Sequence, residues 1–225
     1  MNKRNYQREL DRLLEDLPAG AQKKRLLLHC CCAPCSSYVL EYLQPYFDIT
    51  IFFYNPNIVE EGEYLKRKRE LLRYLSEVSF GSEIHRIDAD YEPEQFLQLA
   101  KRHEQDPERG ERCQLCFKLR LSMTAKAAVQ GMFDYFCTTL SISPHKNADL
   151  LMAIGEDLAG EYGVPYLPSD FKKRNGYKRS IELSSQYHLY RQDYCGCIFS
   201  RQSKDRKDRH NESKDNGDNG YDIMS

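Results

Sequence analysis

Cysteine placement constrains this chain more than any other feature. Eight of its nine cysteines fall into three short clusters. Cys30, Cys31, Cys32 and Cys35 crowd together, Cys113 and Cys116 form a CxxC, Cys195 and Cys197 form a CxC, and Cys137 stands alone. The total is odd, and the N-terminus MNKRNYQREL has no apolar core of a secretory signal. A disulfide framework in an oxidising compartment is therefore not implied, and a cytoplasmic location is expected. Cysteines that merely pack scatter along a chain. Clustered ones point to metal binding or redox chemistry.

Hydrophobic periodicity places these clusters in a fold. Residues 1–25 hold a leading amphipathic helix, with Tyr6, Leu10, Leu13, Leu14 and Leu17 on one stripe. The run Leu26-Leu27-Leu28-His29 reads as a buried strand that feeds the first cysteine cluster, and SSYVLEYLQ follows as a helix that Ser36 or Ser37 could cap. Further strands are expected at 49–54, 84–88 and 133–140, and helices at 63–78, 93–103, 116–129 and 146–162. Alternating strands and helices predict an α/β fold, a doubly wound parallel sheet with helical additions, as a single domain over 26–200. Ligands of such sheets bind beyond the carboxyl ends of the strands, which is where HCCCAPC lies. Residues 201–225 carry six basic and six acidic residues and almost nothing apolar, so a disordered tail is expected. No segment approaches the roughly 20 apolar residues that cross a bilayer.

Thiol-only ligand sets favour zinc or iron–sulfur clusters. A zinc ribbon would bring two knuckles together over short loops, whereas here roughly eighty residues separate successive clusters. Only tertiary structure can make them converge. Their number also exceeds the four ligands of one site. Cysteines two apart bridge only in a strained geometry, so Cys195-Gly196-Cys197 reads either as a reversible dithiol or as a pair of metal ligands.

The motifs HCCCAPC, YNPNI with EYLKRKRE, ERCQLCFKLRL, CTTLSISPHKN, FKKRNGYKRS and YRQDYCGC occur in that order between Leu26 and Phe199. In this they resemble epoxyqueuosine reductases of the QueH type. The resemblance implies a fold similar to HUP/PP-loop domains and an oxidoreductase that removes the epoxide oxygen of epoxyqueuosine at the wobble position of tRNA, the last step of queuosine biosynthesis. It also implies a 4Fe–4S cluster on Cys31, Cys32, Cys113 and Cys116, with Cys195 and Cys197 as a redox-active pair. A second, thiolate-bound iron is implied as well, which Cys35 or the CxC could serve. Cys30 and Cys137 are left as core thiols. PP-loop enzymes cradle phosphate with a glycine-rich loop after the first strand. The loop CCCAPCSS has no glycine, so no ATP requirement is expected.

Thirty-three Lys and Arg against 34 Asp and Glu exclude a globally basic nucleic-acid binder, so tRNA contact needs a local patch. Lys172, Lys173, Arg174, Lys178, Arg179 and Arg191, interleaved with Tyr177, Tyr187, Tyr190 and Tyr194, supply one. Lys66-Arg67-Lys68-Arg69 reads as an ordinary exposed helix face. Reduction of an epoxide to an alkene and water consumes two electrons and two protons, which requires an electron donor and an acid. Asp193, His29, His145 and Tyr194 are the candidate acids, Asp193 being grouped with Cys195 and Cys197 as catalytic. The chain is expected to act as a monomer. Two rival classes are an ATP-dependent tRNA thiolase and a zinc-stabilised RNA-binding module.

Overall fold

A computed structural model describes residues 4–17 and 22–205. Its centre is β1 (Lys24–His29), where Leu26, Leu27 and Leu28 are all fully buried. A strand covered on both faces needs such an unbroken apolar run. On one flank β1 pairs in parallel with β2 (Phe47–Phe52), aligning Leu26 with Ile49, and β2 in turn pairs with β3 (His85–Ile87). On the other flank lies β4 (Tyr135–Thr138), aligning Leu28 with Cys137. The order β3-β2-β1-β4 is all parallel and reverses direction at β1, which is the doubly wound arrangement expected.

Leu26 and Leu28 face one core layer and Leu27 the other. The first layer is covered by α1 (Tyr6–Glu15), α2 (Ala33–Leu43), α3 (Glu61–Glu77) and α7 (Gly176–Gln186), the second by α5 (Glu111–Gln130) and α6 (Ala148–Tyr162). The short α4 (Pro93–Ala100) packs on α5 through Phe96. Within α1, Leu10 and Leu14 enter the first layer, Asn5 caps the helix by accepting from Arg8 N, and Gln7 donates to Tyr42 Oη of α2 at 3.1 Å. Each leucine so buried contributes about 1.5–3 kcal/mol. The leading helix is thus part of the main core rather than an appendage.

Several boundaries differ from the sequence expectation. Helix α2 starts at Ala33, with Cys32 as its N-cap, so Ser36 and Ser37 lie inside it and donate back to the Cys32 and Pro34 carbonyls. Pro34 in the first turn explains the early start, because a proline there loses no helical hydrogen bond. Helix α5 begins at Glu111 rather than Cys116, which puts both cysteines of the CxxC in its first turns. Helix α4 ends at Ala100, short of His103, where Arg102 takes a left-handed φ of 72°. Residues 201–205, assigned to the tail, continue a helix that starts at 198. Arg201 and Lys204 tie it down through ion pairs with Glu60 and Asp193. The rest of the expected tail and residues 18–21 lie outside the described residues. No described helix is long and apolar enough to cross a membrane.

Candidate active site

Three segments distant in sequence meet at the carboxyl end of the sheet. The first is the Cys31–Cys35 loop, where β1 ends and α2 begins. The sulfurs of Cys31, Cys32 and Cys35 lie within 4.8 Å of one another, and those of Cys31 and Cys32 are 3.7 Å apart. The α2 N-terminus favours negative charge here. Hydrogen bonds from Cys32 and Cys35 hold the Cys31 thiol well below the ordinary range, with help from the Arg120 guanidinium. The same coupling pushes Cys32 up to about 12 and holds Cys35 well above the ordinary thiol range.

The second segment is the start of α5. Cys116 is buried against Phe96 and Ala100, in a cluster that Cys197 also enters. Burial raises Cys116 to about 11. Cys113 is half-buried and accepts from Arg109 N at 3.3 Å. One turn beyond Cys116 stands Arg120, only 1% exposed, which donates to Asn55 Oδ1 at 2.6 Å. No carboxylate pairs with it among the described residues, and its charge acts on Cys31, Cys116 and Cys195. A buried cation needs a counter-charge, and the thiol site supplies it. Sequence reading missed Arg120. Its signal was the i, i+4 spacing from Cys116, which places both on one helix face.

The third segment is the chain after α7. Gln192 Nε2 donates to Cys32 Sγ at 2.9 Å, joining this segment to the first cluster. Arg67 of α3 donates to the carbonyls of Cys195 and Tyr194 at 3.2 and 3.4 Å while its Nε bonds Glu63 at 2.6 Å. It is 3% exposed, which corrects the reading of 66–69 as a plain solvated face. Gly196 has φ 107°, a conformation that side chains rarely adopt. Lys146 Nζ lies 3.1 Å from Cys195 Sγ. Burial opposes a Cys195 thiolate, but Lys146 and Arg120 outweigh it and lower its pKa. Burial and the neighbouring Cys195 raise Cys197 to about 12. The two cysteines of the CxC are therefore chemically unequal.

A cavity of about 330 Å³ opens over this site, lined by Cys31, Cys35, Cys195, Arg120, Lys146 and His145, among others. The candidate acids fare differently. His29 is fully buried: Nε2 donates to the Tyr54 carbonyl at 3.0 Å and Nδ1 accepts from Thr138 Oγ1 at 2.9 Å. Burial and Arg120 lower it to about 3, so it is a neutral core histidine away from the cavity. Asp193 lines the cavity but pairs with Lys204, which lowers its pKa and leaves it a carboxylate rather than an acid. His145 and Tyr194 remain at the cavity wall. Cys30 and Cys137 are fully buried, and burial raises both, Cys137 to about 12.

In the basic stretch, Lys172 pairs with Asp170 at 2.6 Å, Arg174 with Asp11 at 2.5 Å and Arg179 with Glu41 at 2.7 Å. Lys173 and Lys178 are exposed, and Tyr177 and Arg191 line the cavity.

Three free thiols within 4.8 Å, with no oxygen or nitrogen ligand in the group, fit a soft thiolate-bound metal. Cys113 and Cys116 fall outside that group.

Fold and site together define a doubly wound α/β protein whose clustered cysteines lie at the switch point of a parallel sheet, where such folds bind ligands. Residues 26–203 match the family model described as epoxyqueuosine reductase QueH. The protein of that name from Staphylococcus epidermidis is 43% identical over 200 residues, covering 87% of this chain and 84% of that protein. The Staphylococcus aureus protein is 44% identical over 87% of this chain and 83% of its own length, and the Thermotoga maritima protein 32% identical over 78% and 89%. The chain belongs to the QueH family of epoxyqueuosine reductases, oxidoreductases of queuosine biosynthesis.

Proposed function

We propose that this protein reduces epoxyqueuosine to queuosine at the wobble position of tRNA, independently of ATP. One observation carries the reading: a cavity of nucleoside size brings a reactive, lysine-paired thiol, Cys195, against the Cys31–Cys35 cluster. Cys31, Cys32 and Cys35, together with Cys113 and Cys116, would hold an iron–sulfur centre and a further thiolate-bound iron. When bound, such a centre supplies single electrons to the site. The protein's own groups do the rest. Arg120 holds negative charge at the cavity floor, Arg67 fixes the CxC loop, and Tyr177 and Tyr194 offer faces on which a splayed base stacks. The Cys195/Cys197 dithiol supplies an electron pair.

Incubating the anaerobically reconstituted protein with epoxyqueuosine tRNA and a reductant tests this by nucleoside mass analysis. A product lighter by one oxygen atom is expected without ATP. Unchanged epoxyqueuosine, or turnover only with ATP, overturns it.

A further inference from the structure

The cavity over the cysteines has a neighbour. A second cavity, of about 400 Å³, opens between the start of α5 and the turn that leads into α6, where Arg109, Gln114, Phe117, Asn147 and Leu150 line it. Pro144, His145 and Lys146 line both cavities, so one short turn of chain serves as a wall to each. Cys113 also belongs to the second lining, and a centre held there would form part of its surface. Glu108 and Asp193 stand at the wall of the first cavity, whereas no acidic residue lines the second.

Its groups suit a ligand with an apolar face, a polar edge and a negative charge. Phe117 is 4% exposed and Leu150 half-buried, and together they offer apolar contact. Gln114 and Asn147 are exposed. Asn147 uses its side-chain oxygen to cap α6, accepting from Asp149 N and Leu150 N at 2.9 and 3.3 Å, which leaves the Nδ2 donors to a ligand. The Gln114 amide has no partner among the described residues. Arg109 supplies the charge. Its φ of 75° is uncommon for a residue with a side chain. It is held there as its N donates to Cys113 Sγ at 3.3 Å and its Nη2 to His145 Nδ1 at 3.5 Å. No carboxylate pairs with Arg109 among the described residues, and the nearby Glu111 lies against His103 instead.

We propose that the second cavity seats the nucleotide next to epoxyqueuosine in the tRNA strand, with Arg109 on its phosphate and the Gln114 and Asn147 amides on the edge of its base. This rests on the proposed function and deepens it. A base that enters the first cavity does not come alone, because its neighbours are tied to it through the backbone. Two cavities that share one wall are placed for two nucleotides that share one phosphodiester. Proteins read single-stranded RNA in this manner, splaying bases onto apolar side chains and hydrogen-bonding their edges. Arg109 without a carboxylate, above a lining free of acids, fits a phosphate oxygen and fixes the strand whatever its sequence. The amides are different, since Gln114 offers donors and an acceptor while Asn147 offers donors alone, and such a pair discriminates among base edges. The second cavity therefore makes the enzyme sensitive to the base beside the one it reduces.

Anticodon stem-loop RNAs carrying epoxyqueuosine, either intact or abasic at the 5′ or the 3′ neighbour, test the subsite on the reconstituted protein by fluorescence binding and by turnover. Removing the base on one side is expected to raise Kd and KM at least about fivefold, the low end for one stacked base, with kcat unchanged. Removing the base on the other side should do less. Gln114→Ala combined with Asn147→Ser, which keeps a capping oxygen for α6, should weaken the intact loop by a similar factor and leave the abasic loop as it was. Arg109→Asn tolerates the left-handed backbone and should flatten the slope of log affinity against log salt by about 0.7, for one contact to a single strand. Equal binding of all three loops overturns the subsite and leaves the proposed function standing. So does a Gln114/Asn147 double variant as sensitive to base loss as the wild type. An unchanged slope in Arg109→Asn overturns the phosphate contact. Failure of the wild type to turn over the intact loop overturns the proposed function, and the binding series still decides whether the second cavity holds a neighbour.

Discussion

Removing the Arg67 guanidinium would take the ion-pair partner from the Glu63 carboxylate, leaving it the Tyr190 hydroxyl, and release two carbonyls of the CxC loop. Breaking a buried pair from one side costs about 3–5 kcal/mol, so Arg67→Met should lower stability by that order in urea unfolding. Arg67→Lys keeps the charge beside Glu63 but cannot span both carbonyls, and should cost about 1–2 kcal/mol. Equal losses for the two would mean that the fork geometry is irrelevant. Arg67 hides in the sequence because its neighbours Lys66, Lys68 and Arg69 carry the same charge. Tyr64, Arg67, Leu71 and Tyr74 form the buried stripe of α3. A charge on an apolar stripe is legible only when its partners are known; Glu63 lies one turn away, but the CxC-loop carbonyls arrive from far along the chain. Cys195, Cys197 and Cys31 are legible because thiol clusters carry chemistry whatever surrounds them. Arg120 and Lys146 are not, since only the fold sets these cations against thiols with no carboxylate partner among the described residues.

Strands announce themselves better than helix ends. The buried run of β1 and the alternating elements that follow require a parallel sheet, and β1, β2 and β4 lie at the expected places. Helix α7 escapes the periodicity, because GYKRS opens with a glycine and lacks an apolar stripe long enough to count. The structure supplies the reason for that glycine. A Cβ on Gly176 would sit 2.0 Å from the Phe171 carbonyl oxygen and 2.4 Å from the Tyr38 ring, so α7 reaches α2 only without a side chain there. Gly176→Ala should therefore destabilise by about 1–3 kcal/mol through overpacking. It should also shift Tyr177 at the cavity wall and weaken tRNA binding. A methyl group added at Gly160 in α6 would meet nothing within 4 Å, so Gly160→Ala should stabilise by about 0.5–1 kcal/mol. Thermal unfolding of the pair checks both signs, and a stable Gly176→Ala protein would deny the close approach.

On the scale of the whole molecule, three cysteine segments roughly eighty residues apart could be expected to converge, but not in which grouping. Topology settles part of that by setting the β1 end beside β4 and folding the last segment over α3 and α5. The same folding reshapes the basic stretch. Lys172, Arg174 and Arg179 bind Asp170, Asp11 and Glu41, so reversing them would first disturb the loop before α7, its tie to α1 and the contact of α7 with α2. Lys173 and Lys178 are exposed beside Tyr177 and have no ion pair among the described residues. A chain of net charge -1 has no general attraction for tRNA, so the proposed function calls for a few such lysines to supply phosphate contacts near the cavity. Lys173→Glu with Lys178→Glu should weaken tRNA binding by about tenfold or more at moderate salt. The slope of log affinity against log salt should fall by about 1.5, for two lost phosphate contacts. Because neither side chain is paired, the melting temperature should hold. Filter binding across a salt series reads the first two quantities directly. Unchanged affinity with an unchanged slope would move the tRNA surface away from α7, to whatever other exposed cations rim the cavity.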